Sequence, residues 1–176
     1  MLIPGVFITV LTFPGVIVHE LAHQLCCRIC KVPVFKVVYF QAANPAGYVL
    51  HEKINNHWHS LFVSTGPFLL NTIMGAVIAL PASLPVFSFG NAMFYHYILL
   101  YLGISIAMHA FPSTGDANAI WETVKRPDAP WLFKLLATPI VGFIYLGALG
   151  SMFWLDLFYG MGIAIGIPKL LISLLA

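Results

Sequence analysis

The sequence predicts an all-α polytopic membrane protein, a bundle of four or five transmembrane helices with a short interfacial β-hairpin. Hydrophobic residues make up 60% of the 176 positions, and the mean hydropathy is +0.92. Only 8% are charged, where an ordinary soluble domain carries about 25%. The apolar residues also run in long uncharged stretches, which suit a hydrocarbon core that takes about 20 residues per helix. A formal charge of +2, with no Lys/Arg block interleaved with aromatics, argues against nucleic acid as a partner and leaves the lipid bilayer as the expected surrounding.

The first apolar stretch, Leu2 to Cys27, contains no Lys or Arg. It lacks the basic start and small-residue cleavage site of a secretory signal, so a retained transmembrane helix is expected. Its interior holds His19, Glu20 and His23, groups that lipid rejects and that are functional candidates for that reason. Next, Val34 to Phe40 and Gly47 to His51 flank Asn44-Pro45-Ala46-Gly47, a turn signal between β-branched and aromatic residues, which predicts the hairpin. Further spans are expected from Trp58 to Leu80, Ala92 to Phe111 and Trp131 to about Trp154, with an uncharged loop from Pro81 to Asn91. The last segment, Leu157 to Ala176, follows a turn marked by Asp156 and Gly160. Its Pro168 and Lys169 make it a poor spanner, so it crosses, re-enters or lies flat. No repeat or linker divides the chain. One membrane-embedded domain, residues 1–176, is expected, with a core of about 2–121 and additional C-terminal helices over about 131–176.

Basic residues set the expected orientation. Arg28, Lys31, Lys36 and Lys53 follow the first span, and Lys125, Arg126 and Lys134 border the start of the fourth. The positive-inside rule places these loops in the cytosol and the N-terminus outside. The three cysteines, Cys26, Cys27 and Cys30, are too clustered to staple distant parts of a fold and read as reduced thiols on the cytosolic side.

The chemistry lies in His19-Glu20-Leu21-Ala22-His23. On a helix, the i, i+4 spacing stacks both imidazoles on one face, one turn apart, able to ligate one Zn²⁺. Glu20 lies about 100° round the helix from His19, a suitable place for a base acting on water at the metal. By composition a chance match has odds of roughly one in a hundred. A catalytic zinc wants a third protein ligand and one open position. The chain offers Asp116, His109, His96 and the cluster His51, His57 and His59. Depth favours Asp116: at 1.5 Å per residue, His19 and His23 lie about 8 to 13 Å from the cytosolic end of their helix near Arg28. The third span ends on that same side, where Phe111-Pro112-Ser113-Thr114-Gly115-Asp116 has the Pro and Gly to fold a carboxylate back. His109 is the reserve.

These residues together resemble the site-2 proteases, the intramembrane zinc metalloproteases. The resemblance rests on an HExxH transmembrane helix, an interfacial hairpin, Gly66-Pro67 near the start of the next span and a Pro-containing loop with Asp116 after the third. It covers about Pro14 to Trp121. It implies a core of three transmembrane helices, His19, His23 and Asp116 as ligands of one zinc per chain, and Glu20 as the catalytic base. Membrane-spanning protein or peptide substrates, cut within or near the bilayer, are implied with it. Two departures stand out. The family's Gly-Pro-x-x-Asn becomes Gly66-Pro67 with three residues before Asn71, a rotation of about 100°. Its Asn-Pro-x-Asp-Gly loop becomes Phe111-Pro112 with Gly115 ahead of the acid. Asn71 therefore has two readings, a hydrogen-bond donor to a substrate carbonyl or developing oxyanion, or a polar residue that packs helices.

The function expected is peptide-bond hydrolysis near the cytosolic side of the bilayer. The competing reading is a non-proteolytic, zinc-containing membrane binding protein or chaperone, and a third is a zinc hydrolase acting on lipid or prenylated peptide. Gly162-x-x-x-Gly166 is a pattern that can pack a helix or a second copy of the chain, which leaves a homodimer open. No nucleotide, flavin or haem motif is present, so zinc is the one cofactor expected.

Overall fold

The computed structural model describes residues 5–175; the ends of the first and last predicted spans, residues 2–4 and Ala176, lie outside the described residues. The chain is mostly helical, with one small antiparallel sheet. The first predicted span is two helices, α1 (Gly5–Leu11) and α2 (Phe13–Ile29). They part at Thr12, whose hydroxyl bonds the Ile8 carbonyl at 2.7 Å, because Pro14 offers no N–H to continue the ladder. The predicted hairpin forms as β1 (Val34–Val38) and β2 (Tyr48–His51), with Lys36 opposite Leu50, Val38 opposite Tyr48 and a bulge between Val34 and Lys36. It lies against α2, where the Tyr39 hydroxyl donates to Gln24 at 2.6 Å.

Helix α3 (His57–Leu84) starts under an Asn56 cap that accepts the N–H groups of Trp58 and His59. It continues through Pro67 and Pro81 and passes into a π-helical turn, Pro85–Phe89, before Gly90 stops it at φ 66°. The stretch that reads as a loop from Pro81 is therefore helical as far as Phe89. Proline removes one N–H without breaking a helix whose neighbours hold it. Then come α4 (Phe94–Met108), α5 (Thr114–Val124) and α6 (Trp131–Ser151). The chain reverses at residues 152–154, with Trp154 at φ 65°, slightly ahead of the predicted turn. The last segment is α7 (Leu155–Met161), a π-helical turn Gly162–Gly166, and α8 (Ile167–Leu175).

Two helical segments, His57–Phe89 and Trp131–Ser151, are long and apolar enough to cross a membrane. Only 22% and 28% of their most apolar windows are buried inside the protein, with Leu69, Ile73, Leu146 and Leu149 facing outward. Helices α2 and α4, with 17 and 15 residues, are shorter than the run of about 20 that a straight span needs.

Helix α3 is the hub. It meets α4 through small residues, since a Cβ at Gly103 would lie 2.6 Å from the Ala79 Cβ and 2.8 Å from the Gly75 carbonyl oxygen. Such small residues let the two helix backbones approach closely. The other side of the α2–α4 contact is Gly15, whose N–H donates to Ser105 Oγ at 3.0 Å. Helices α5 and α6 share a separate core around Ile120, Phe133, Val141 and Ile144. Helix α7 packs on α4 at Gly160, where a Cβ would meet Met108 Cβ at 2.8 Å. A Cβ at Gly162 or Gly166 would meet nothing within 4 Å, so that pair packs no helix among the described residues.

Candidate metal centre

His19 and His23 leave α2 on the same face, and each is held from behind by a main-chain carbonyl. The His19 Nδ1–H donates to the His109 carbonyl at 2.7 Å, and the His23 Nδ1–H to the Val63 carbonyl at 2.9 Å. A carbonyl only accepts, so in the neutral rings the proton sits on Nδ1 and each Nε2 keeps its lone pair. The two Nε2 atoms face one another at 3.2 Å. Bare lone pairs so placed repel, and a cation between them resolves the conflict.

Asp116 completes the group. Its N–H donates to the Ser113 hydroxyl oxygen at 3.2 Å, while its Oδ2 accepts from the Ser113 N–H at 2.8 Å and the Ser113 hydroxyl at 2.6 Å. This capping box starts α5 and fixes the carboxylate. Oδ1 is left to face His23 Nε2 at 3.5 Å. Burial pushes the Asp116 carboxyl up, but His23 and the Ser113 hydrogen bond outweigh it and hold the group below the usual carboxylate range. Nε2 of both histidines and the Asp116 oxygen lie within 4.8 Å of one another, and the three could hold a metal ion. Zinc takes such N and O donors at about 2.0–2.2 Å, so tetrahedral neighbours stand about 3.3–3.6 Å apart. The 3.5 Å edge falls in that range, the 3.2 Å edge lies just below it, and the third is no longer than 4.8 Å.

Glu20 is 7% exposed and lines the same cavity of about 570 Å³ as the triad. Its roof is the hairpin loop, where a Cβ at Gly47 would stand 2.6 Å from Glu20 Cγ and 3.0 Å from Oε1. Tyr48, Val49 and His51 of β2 form one wall and Ser60 and Ser64 of α3 another. The cavity runs past Thr123 towards Lys53, Glu122 and Arg126.

Asn71 lies behind the cavity. It is fully buried, and its amide nitrogen donates to the carbonyls of Gly15 (3.3 Å), Ile106 (3.1 Å) and His109 (3.1 Å). It does not line the cavity, a placement that fits the packing reading. It also grips the carbonyl that orients His19. His109 contributes that carbonyl; its ring turns back to the Ser105 carbonyl at 2.9 Å. His96 Nδ1 accepts the Met93 N–H at the start of α4, and His57 packs on Phe133 with Nε2 3.4 Å from Asp128. His51 lines the cavity but joins no metal-binding group among the described residues. The His59 main-chain N–H donates to Asn56 Oδ1. Cys26 and Cys27 are buried beside Val63 as free thiols.

Sequence reasoning missed the Val63 and His109 carbonyls, which carry no side-chain signal, and the glycine over Glu20. It also missed α5, although Ser113-x-x-Asp116 ahead of buried Ala117, Ile120 and Val124 is the pattern of a capped amphipathic helix. Compared with known proteins, the chain matches no protein-family model, no curated protein and no solved structure.

Proposed function

We propose that the protein is an intramembrane zinc metallopeptidase of the site-2 protease kind, which hydrolyses a peptide bond of a membrane-spanning protein. One observation carries the reading: two histidine Nε2 atoms and one carboxylate oxygen converge beside a buried glutamate in a cavity large enough for a peptide. A structural zinc is usually closed by four protein ligands. The described residues supply three, and the cavity adjoins them, which favours catalysis over a purely structural or sensing site.

His19, His23 and Asp116 would hold the zinc, which would supply Lewis-acid polarisation of a scissile carbonyl and acidify water. Glu20 takes the proton of the attacking water and delivers it to the leaving amine. Its burial under Gly47 keeps bulk water from competing for the carboxylate. The carbonyls of Val63 and His109 keep both imidazoles in the tautomer that binds metal. A helical substrate hides its peptide bonds and must unwind before attack. Among the described residues β2 pairs only with β1, and β2 lines the cavity, so its other edge can take the substrate as an added strand.

The outward-facing apolar helices support the bilayer reading, with α3 and α6 as full-length spans, α2 (preceded by α1) and α4 as shorter ones, and the N-terminus outside. The cavity reaches Lys53 and Arg126, on the side that the positive-inside rule assigns to the cytosol. The test is cleavage of a fluorescent Leu/Ala transmembrane peptide, with a Gly-Gly break near its cytosolic end, in phosphatidylcholine vesicles. Wild type should cleave it and Glu20→Gln should not, with zinc retained in both. Equal cleavage by the two proteins would defeat the mechanism.

A further inference from the structure

Hydroxyls on the helices of this protein have a habit. Thr65, Thr72, Thr123 and Thr138 each donate to the carbonyl four residues back, at 2.5 to 3.0 Å, which is how Ser and Thr satisfy themselves within a helix. Ser64 does not. It is 5% exposed, sits in the interior of α3 and lines the cavity, yet its hydroxyl has no partner among the described residues. Its oxygen is not fully enclosed; it opens onto the cavity, where a substrate would lie.

The neighbours sharpen the point. Ser60, one turn earlier, is the other α3 residue in the cavity wall; its hydroxyl is paired with Thr123 at 3.2 Å. The Ser113 hydroxyl is spent on Asp116. Val63, adjacent to Ser64, orients His23 through its carbonyl, so Ser64 stands on the turn of α3 level with the metal ligands. Asn71, the residue whose type suggested a donor to substrate, has its amide committed to three main-chain carbonyls.

We propose that Ser64 is a catalytic residue of this site, its hydroxyl donating a hydrogen bond to the carbonyl oxygen of the peptide bond under attack. The proposal rests on the peptidase reading above. As negative charge develops on that oxygen the hydrogen bond strengthens, so the contribution appears in turnover more than in binding.

The experiment compares wild type, Ser64→Ala and Ser64→Gly in vesicles with the Leu/Ala transmembrane peptide, and measures zinc per chain on the same samples. Both variants should keep zinc and lose about 10²-fold in kcat, with KM within about threefold of wild type. Ser64→Thr, which keeps a hydroxyl, should recover most of the loss. Wild-type turnover by zinc-loaded Ser64→Ala and Ser64→Gly would overturn the role of Ser64 and leave the peptidase reading standing. Loss of zinc in both variants would also overturn it, by making Ser64 a structural part of the centre. Zinc-loaded wild type that cleaves no peptide would overturn the peptidase reading and the Ser64 role together.

Discussion

Replacing Gly47 by alanine isolates the position of the base. The new Cβ would stand 2.6 Å from Glu20 Cγ and 3.0 Å from Oε1, whereas carbon atoms in ordinary contact are about 3.5–4.0 Å apart. The carboxylate arm must therefore retreat by about 1 Å. The atoms it meets belong to a flexible side chain rather than to backbone, so the fold absorbs the change at little cost. Catalysis does not, because a displacement of about 1 Å at the reacting groups costs on the order of 10²-fold. His19, His23 and Asp116 are untouched, so zinc should remain at one per chain. The assay is turnover of the transmembrane peptide beside zinc content and thermal unfolding of the same samples. A Gly47→Ala protein within threefold of wild-type turnover would refute the reasoning, since it would mean that Glu20 is not positioned by the hairpin roof.

Three further outcomes follow from the same geometry. Asn71→Ala removes a donor shared by three carbonyls, of which His109 keeps the His19 Nδ1–H and Ile106 the His109 N–H; it should destabilise the protein by about 0.5–1.5 kcal/mol and weaken zinc binding about tenfold through His109, read by thermal unfolding and zinc titration. Unchanged stability with turnover alone lost would return Asn71 to the substrate. Gly103→Val drives a side chain into Ala79 Cβ and the Gly75 carbonyl, neither of which can swing away, and should cost about 1–3 kcal/mol or more; an unaltered unfolding midpoint in detergent would contradict the packing described. Excising residues 34–51 and joining the ends by a Gly/Ser linker should abolish cleavage while leaving zinc bound, and undiminished cleavage would reject strand addition at β2.

The candidate centre was legible because its signals are local. His19 and His23 share a helix face by spacing alone, and Pro112 and Gly115 mark a break where a carboxylate can turn back; the structure brings the three side chains together. The hairpin was legible from its turn residues and paired as β1 and β2. What escaped was non-local or borne by the main chain. Nothing in the letters of Val63 or His109 announces that a carbonyl will hold an imidazole. Nothing in Gly47 says that it will close over Glu20. Asn71 has the residue type of an oxyanion donor, and the three-residue spacing after Gly66-Pro67 hinted at the rotation that directs it to the α2–α4 seam instead. Proline misled at Pro81, where helix continues to Phe89, and Thr12 breaks the first span where hydropathy alone shows a continuous run. Apolar composition does not record backbone geometry. Ser60, Ser64 and Asn71 recur at helical spacing along a mostly apolar segment, the one sequence signal that points to Ser64.

Metal content tests the central claim most directly, because it needs no knowledge of the natural substrate. Detergent-purified wild type and Glu20→Gln should carry about one zinc per chain, and His19→Ala and Asp116→Ala should each lose it. Zinc retained in Asp116→Ala, or none in wild type supplied with the metal, would contradict the centre built from His19, His23 and Asp116.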